Sequence, residues 1–172
     1  MKLARAIFFL WAASVLASGP LAAAPEDPKA ALSTLPETGS GQIASVPDGM
    51  DLKLEDGRTV HLAGILVPPP LGKSGDPGPL SSSAQSTLAA IAAGQSITLR
   101  GPVEKDRYGR LVAQVMRTDG LWPQGVLLSA GLARVATTPD HRVRAAPSLR
   151  LEAKARDHHL CLWRTRQFAI KT

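Results

Sequence analysis

The stretch Glu104-Lys105-Asp106-Arg107-Tyr108-Gly109-Arg110, followed by Leu111-Val112-Ala113-Gln114-Val115-Met116, decides the fold. Its second part is short, largely apolar and bounded by turn residues, a pattern typical of a strand. Upstream, residues 96–100 alternate polar and apolar side chains, as a half-buried strand does. We therefore predict a hairpin whose loop is the charged stretch, with Gly109 in its tight bend.

Arg110 stands at the root of the second strand of this predicted hairpin, on a rigid support. A planar guanidinium donates two parallel hydrogen bonds, so an arginine held in this way suits a phosphate. The alternative is that Asp106, Arg107 and Arg110 only solvate a turn, because loops are usually polar. Side-chain chemistry alone leaves both interpretations open.

The first 24 residues have the pattern of a signal peptide. Lys2 and Arg5 precede an apolar core over residues 6–16, and Ala22-Ala23-Ala24 offers a cleavage site of small residues. The core is short for a membrane span, although an uncleaved N-terminal anchor is the alternative. We predict an exported protein, periplasmic or secreted, with no transmembrane span after cleavage.

Cleavage would remove two of the 20 basic residues and none of the 14 acidic ones, so the formal charge would fall from +6 to +4. This moderately basic balance permits binding to a polyanion without demanding it. The aromatic residues left would be Tyr108, Trp122, Trp163 and Phe168, too few for a surface that stacks successive bases. Cys161 is the only cysteine, which excludes an internal disulfide.

The rest of the chain reads as one domain with short extensions. Residues 25–40 are rich in Pro, Ala, Glu, Ser and Gly without periodicity, and we predict a flexible linker there. The domain is expected over residues 41–165. Residues 166–172 are expected to form a C-terminal tail.

The domain begins with three predicted strands, and the turn at Asp56-Gly57 joins the second to the third. One helix, the two strands of the hairpin described above and two further helices follow. These helices begin at serine or proline, and the first two stop at a glycine. The expected strands lie at about 51–54 and 59–65, and the expected helices at about 81–93, 123–130 and 148–158. After the last helix we expect residues 161–163 to pack back against the domain as a short apolar segment, with Cys161 buried.

This order of strands and helices is that of a small Greek-key barrel with appended helices. From about Gln42 to Trp163 the chain also resembles the staphylococcal-nuclease-like (thermonuclease) domain family. That resemblance implies a mainly β fold with appended helices (α+β), a five-stranded OB-fold barrel with three helices. It rests on Asp48-Gly49, residues 60–65, Asp106-Arg107-Tyr108-Gly109-Arg110, Gly131-Leu132-Ala133 and Leu162-Trp163.

The resemblance implies calcium-assisted hydrolysis of nucleic-acid phosphodiesters. That chemistry needs oxygen ligands for the cation, a carboxylate that activates water, and two arginines on the phosphate. Position by position, only the second arginine is matched, by Arg110. The two metal carboxylates fall on Met50 and Leu66, the first arginine falls on His61, and the catalytic glutamate falls on Pro69.

These replacements remove the mechanism, because thioether sulfur is a soft, weak ligand and neither Leu66 nor Pro69 has a side chain that coordinates calcium or takes a proton. We therefore predict a degenerate member of the family with no cofactor. The alternative is an active nuclease with a rebuilt metal site at Asp48 and Asp51, for which calcium would be the cofactor.

The predicted function is that of a module that binds nucleic acid, another polyanion or an acidic partner. The positive charge would come from Arg107, Arg110, Lys73, Arg142 and Arg144. A further alternative is a structural or interaction role for the proline-rich loop at residues 68–79. The sequence predicts no particular oligomeric state.

Overall fold

The computed structural model describes residues 28–69, 78–136 and 145–164, and within them five strands close into a barrel. In chain order the elements are α1 (Pro28–Ser33), β1 (Glu37–Ser45), β2 (Asp51–Leu54), β3 (Thr59–Leu62), β4 (Ile65–Leu66), α2 (Pro79–Ala92), β5 (Ser96–Lys105), β6 (Leu111–Arg117), α3 (Pro123–Ser129), β7 (Arg134–Val135), α4 (Ala146–Asp157) and a closing 3-10 turn (Cys161–Arg164).

The order of strands around the barrel is β1-β2-β3-β6-β5, and β5 closes the ring by pairing with β1. The β3–β6 pair is parallel and the other four pairs are antiparallel. Closure leaves none of these five strands with an unpaired edge. The predicted five-stranded OB-fold barrel with appended helices is confirmed.

Side-chain alternation along the strands separates the core from the outer face. Leu52, Leu54, Val60 and Leu62 point inward and are at most 1% exposed. Full burial of each such side chain favours folding by roughly 1.5–3 kcal/mol. The residues between them point to the opposite face, because the strand period is two. That outer face carries Asp51 and His61, and the functional site is built there.

The predicted linker over residues 25–40 is wrong from Pro28 onward. Residues 28–33 form α1, and β1 begins at Glu37. Glycine-rich strands have weak intrinsic propensity, but here the segment 37–42 pairs with β5 along its length. The ladder hydrogen bonds and the packing of the barrel override local propensity.

Two predicted boundaries also shift. The third strand ends at Leu62, because Gly64 has a φ of +78° and turns the chain before β4 pairs with β7. The first long helix begins at Pro79 rather than at the predicted serines, since proline fits the first turn of a helix. It ends before Gly94, as predicted.

A buried carboxylate joins the last helix to the small β4–β7 sheet. Glu152 lies on α4 and is 7% exposed. Its Oε2 accepts a hydrogen bond from the backbone N–H of Val135, and its Oε1 accepts one from Arg156 Nη2 at 2.7 Å. The Arg156 guanidinium in turn lies 4.7 Å from the centre of the Trp163 ring. Both oxygens of the Glu152 carboxylate therefore have structural hydrogen-bond partners.

The predicted packing of residues 161–163 against the domain is confirmed only in part. Leu162 is fully buried and packs beneath the closing turn, but Cys161 is exposed, so its predicted burial is wrong. No helix in the described parts of the chain is long and apolar enough to cross a membrane.

The predicted signal peptide (residues 1–24) and the C-terminal tail (residues 166–172) lie outside the described residues. So do Lys73, Arg142 and Arg144, which were predicted to present positive charge.

Candidate functional site

The loop that joins β5 to β6 is held in place by one carboxylate. Asp106 Oδ1 accepts hydrogen bonds from the backbone N–H groups of Tyr108 and Arg110, each at 2.9 Å. Its Oδ2 accepts a bond from Arg110 Nε at 2.7 Å. Gly109 completes the bend with a φ of +80°. The predicted hairpin loop therefore fixes both the backbone and the side chain of Arg110.

The guanidinium of Arg110 also reaches β2. Its Nη1 donates to Asp51 Oδ2 at 2.8 Å, across 59 residues of sequence. Asp51 Oδ1 in turn lies 2.5 Å from His61 Nδ1. Asp51 and His61 face each other across the β2–β3 ladder, so the backbone register brings them together. The result is a continuous chain of polar contacts from His61 through Asp51 and Arg110 to Asp106.

This polar chain is largely enclosed. The side chains of Asp51, His61 and Arg110 are 11%, 22% and 27% exposed. Burial of Asp51 raises the pKa of its carboxyl group, but the hydrogen bonds and positive charges of His61 and Arg110 outweigh that effect and hold the pKa below its ordinary value of 3.8. Asp51 is therefore a carboxylate at neutral pH, and its charge is balanced within the protein.

The residues at the implied calcium positions do not offer a calcium site. Met50 Sδ accepts the backbone N–H of Val67 at 3.3 Å, so the sulfur serves as a local hydrogen-bond acceptor. Leu66 lies in β4 opposite Arg134, and Pro69 is exposed at the end of the described segment. Calcium requires several hard oxygen ligands, which these three side chains lack.

The two aspartates of the alternative metal site are already engaged. Asp48 Oδ1 accepts the backbone N–H groups of Met50 and Asp51, both at 2.7 Å, and so fixes the turn before β2. Asp51 is bonded to His61 and Arg110. Across the described residues, no group of three or more His, Cys, Asp or Glu side chains could hold a metal ion. A rebuilt site would need Asp51 to give up its contacts with His61 and Arg110.

The tip of the loop presents an exposed cation and an exposed ring. Tyr108 is 68% exposed, and the guanidinium carbons of Arg107 and Arg110 lie 4.9 and 5.4 Å from its ring centre. Arg110 is paired with two carboxylates, whereas Arg107 has no ion-pair partner among the described residues. Arg107 is therefore the cation of this loop that is available to an anionic ligand.

The sequence interpretation missed the Asp51–His61–Arg110 contacts. It treated His61 only as the place of a lost arginine and Asp51 only as a possible metal ligand. A signal was present, because a hairpin centred on Asp56 sets residue 51 opposite residue 61. The reach of Arg110 to Asp51 depends on side-chain geometry and had no comparable signal.

Comparison with known families supports the fold described above. A family model described as staphylococcal nuclease homologue matches residues 59–165. The matched segment begins with β3 and runs beyond the closing 3-10 turn, so it contains His61, Leu66, Pro69 and Arg110. No curated protein matches the chain.

Proposed function

The chain belongs to the family of staphylococcal nuclease homologues, and we propose that it is a degenerate member that binds a polyanion, with nucleic acid as the ligand the family implies, without hydrolysing it by the calcium mechanism. The observation that carries the proposal is the state of Asp51. It follows directly after Met50, the implied metal position, and its two oxygens contact His61 and Arg110. The described residues at the implied positions, Met50, Leu66 and Pro69, carry no carboxylate that could hold a cation or activate water.

The binding half of the proposal rests on the loop at residues 106–110. The loop is rigid, because Asp106 ties down two of its N–H groups and one side chain. It displays Arg107 beside an exposed tyrosine ring. A guanidinium next to an aromatic face suits a phosphate with its adjoining base.

Binding is tested by fluorescence anisotropy of a labelled single-stranded oligonucleotide with the mature protein over a salt series. Arg107→Ala is expected to weaken binding and to reduce the slope of log K against log salt by about one unit, because one phosphate contact is lost. Arg150→Ala, which removes an exposed arginine of α4, is the charge-matched control and is expected to leave the slope unchanged. Equal losses in both variants would mean that the loop is not the binding site.

We also propose that the protein is exported and that the N-terminal segment is removed. The support is the basic start, the apolar core over residues 6–16 and the small-residue site at Ala22-Ala23-Ala24. Intact-mass measurement of the protein recovered from the cell envelope or the medium is expected to give a chain that starts at Pro25. A mass that includes Met1 would contradict cleavage and favour the N-terminal anchor.

A further inference from the structure

Two of the three nitrogens of the Arg110 guanidinium donate to internal carboxylates. Nε donates to Asp106 and Nη1 donates to Asp51. Asp106 belongs to the same loop and also bonds the backbone of Arg110, so it acts as the orienting partner. Asp51 comes from a different strand and also faces His61. One of its oxygens contacts His61 and the other contacts Arg110, so the carboxylate occupies the space between these two side chains.

Carboxylate and phosphate are alternative partners for an arginine, since both present two oxygens to its planar fork. We propose that Asp51 is an internal anion that competes with phosphate for Arg110 and His61, so that this part of the site binds phosphate weakly as long as the carboxylate stays in place. The inference rests on the proposed function in taking a phosphate-bearing polyanion as the ligand.

Tethering gives Asp51 an advantage over a free ligand. Its backbone is fixed by β2 and by the hydrogen bond from its N–H to Asp48 Oδ1. A group held in place by the fold competes at a high effective concentration and loses little entropy on contact. A single phosphodiester also carries only one negative charge, so its exchange for Asp51 brings no gain in net charge.

The local charge supports the same conclusion. Two carboxylates, Asp51 and Asp106, surround one guanidinium, and His61 contributes at most one further positive charge. An approaching phosphate therefore meets a cluster that is neutral or negative. Converting Asp51 to an uncharged side chain removes one negative charge from this cluster and leaves the Arg110 guanidinium charged.

The test compares phosphate binding by Asp51→Asn with that of the unmodified protein. Inorganic phosphate is titrated calorimetrically, and a 5′-phosphorylated labelled oligonucleotide is titrated by anisotropy. Asp51→Asn is expected to raise the affinity for both by about tenfold, because a charged competitor is removed. Adding Arg110→Ala to this variant is expected to abolish the gain.

Asp119→Asn is the matched control. It also removes an aspartate paired with an arginine, Arg117, but it lies beyond the opposite end of β6 from the loop. Its affinity for phosphate is expected to stay unchanged. Asp51→Ser removes the charge in a second way if the Asp51→Asn variant misfolds. Melting curves identify which variants are folded.

The outcomes separate this inference from the proposed function. If phosphate binding rises in Asp51→Asn while no form of the protein binds oligonucleotide, the internal competitor is supported and the polyanion function fails. A second outcome is that the unmodified protein binds oligonucleotide through Arg107, while both Asp51 variants bind phosphate with the same affinity as the unmodified protein. The proposed function is then supported, and the role of Asp51 as a competitor is refuted.

Discussion

Replacing Gly131 by alanine is expected to cause a large loss of stability. Gly131 follows α3 with a φ of +68°, and a Cβ built on it would lie 2.6 Å from the carbonyl oxygen of Leu160. That oxygen is backbone and cannot swing aside as the end of a flexible side chain can. The left-handed conformation and the overlap together are expected to destabilise the fold by roughly 2–4 kcal/mol.

Gly94→Ala is the matched control for this prediction. Gly94 has a φ of +70°, but nothing lies within 4 Å of a Cβ placed there. Gly94→Ala is expected to lower the free energy of unfolding only by the cost of the left-handed conformation, about 1–2 kcal/mol. Denaturant unfolding of the two variants measures the difference. Equal losses would mean that the close approach of the Leu160 carbonyl contributes nothing.

The barrel could be predicted from the sequence because its signals are local. Asp56-Gly57 and Gly109 mark tight turns, and both glycines adopt the positive φ that their position suggested. The β2 strand has the predicted bounds, and the glycines after α2 and α3 end those helices. The start of β1 could not be predicted, since its order comes from pairing with β5, which lies more than 50 residues away.

The site was predictable only in its parts. The loop sequence indicated that Arg110 would be held rigidly, and it is. Asp51, which accepts a hydrogen bond from the Arg110 guanidinium, was considered only as a ligand of a rebuilt calcium site. The sequence could not decide between these two roles, because the choice depends on whether the Arg110 side chain reaches from the loop before β6 to β2.

Under the proposed function, the site keeps an arginine suited to a phosphate and lacks the hydrolytic groups. Met50, Leu66 and Pro69 supply neither a hard ligand nor a base. Asp51 is a carboxylate, but its oxygens contact His61 and Arg110 within the protein. A general base alone contributes about 10²–10⁴-fold to a rate, and the metal contributes further through charge stabilisation. Their joint loss is expected to reduce calcium-dependent cleavage by at least about 10⁴-fold relative to a family member with a complete site.

The most direct test of this account is digestion of denatured DNA and of RNA by the purified mature protein, with calcium and with chelator. Arg110→Ala and a complete-site nuclease of the family are run in parallel. The account predicts no cleavage by the folded protein in either condition. Cleavage that requires calcium and disappears in Arg110→Ala would contradict it, and would mean that Asp51 leaves Arg110 and His61 to build a metal site.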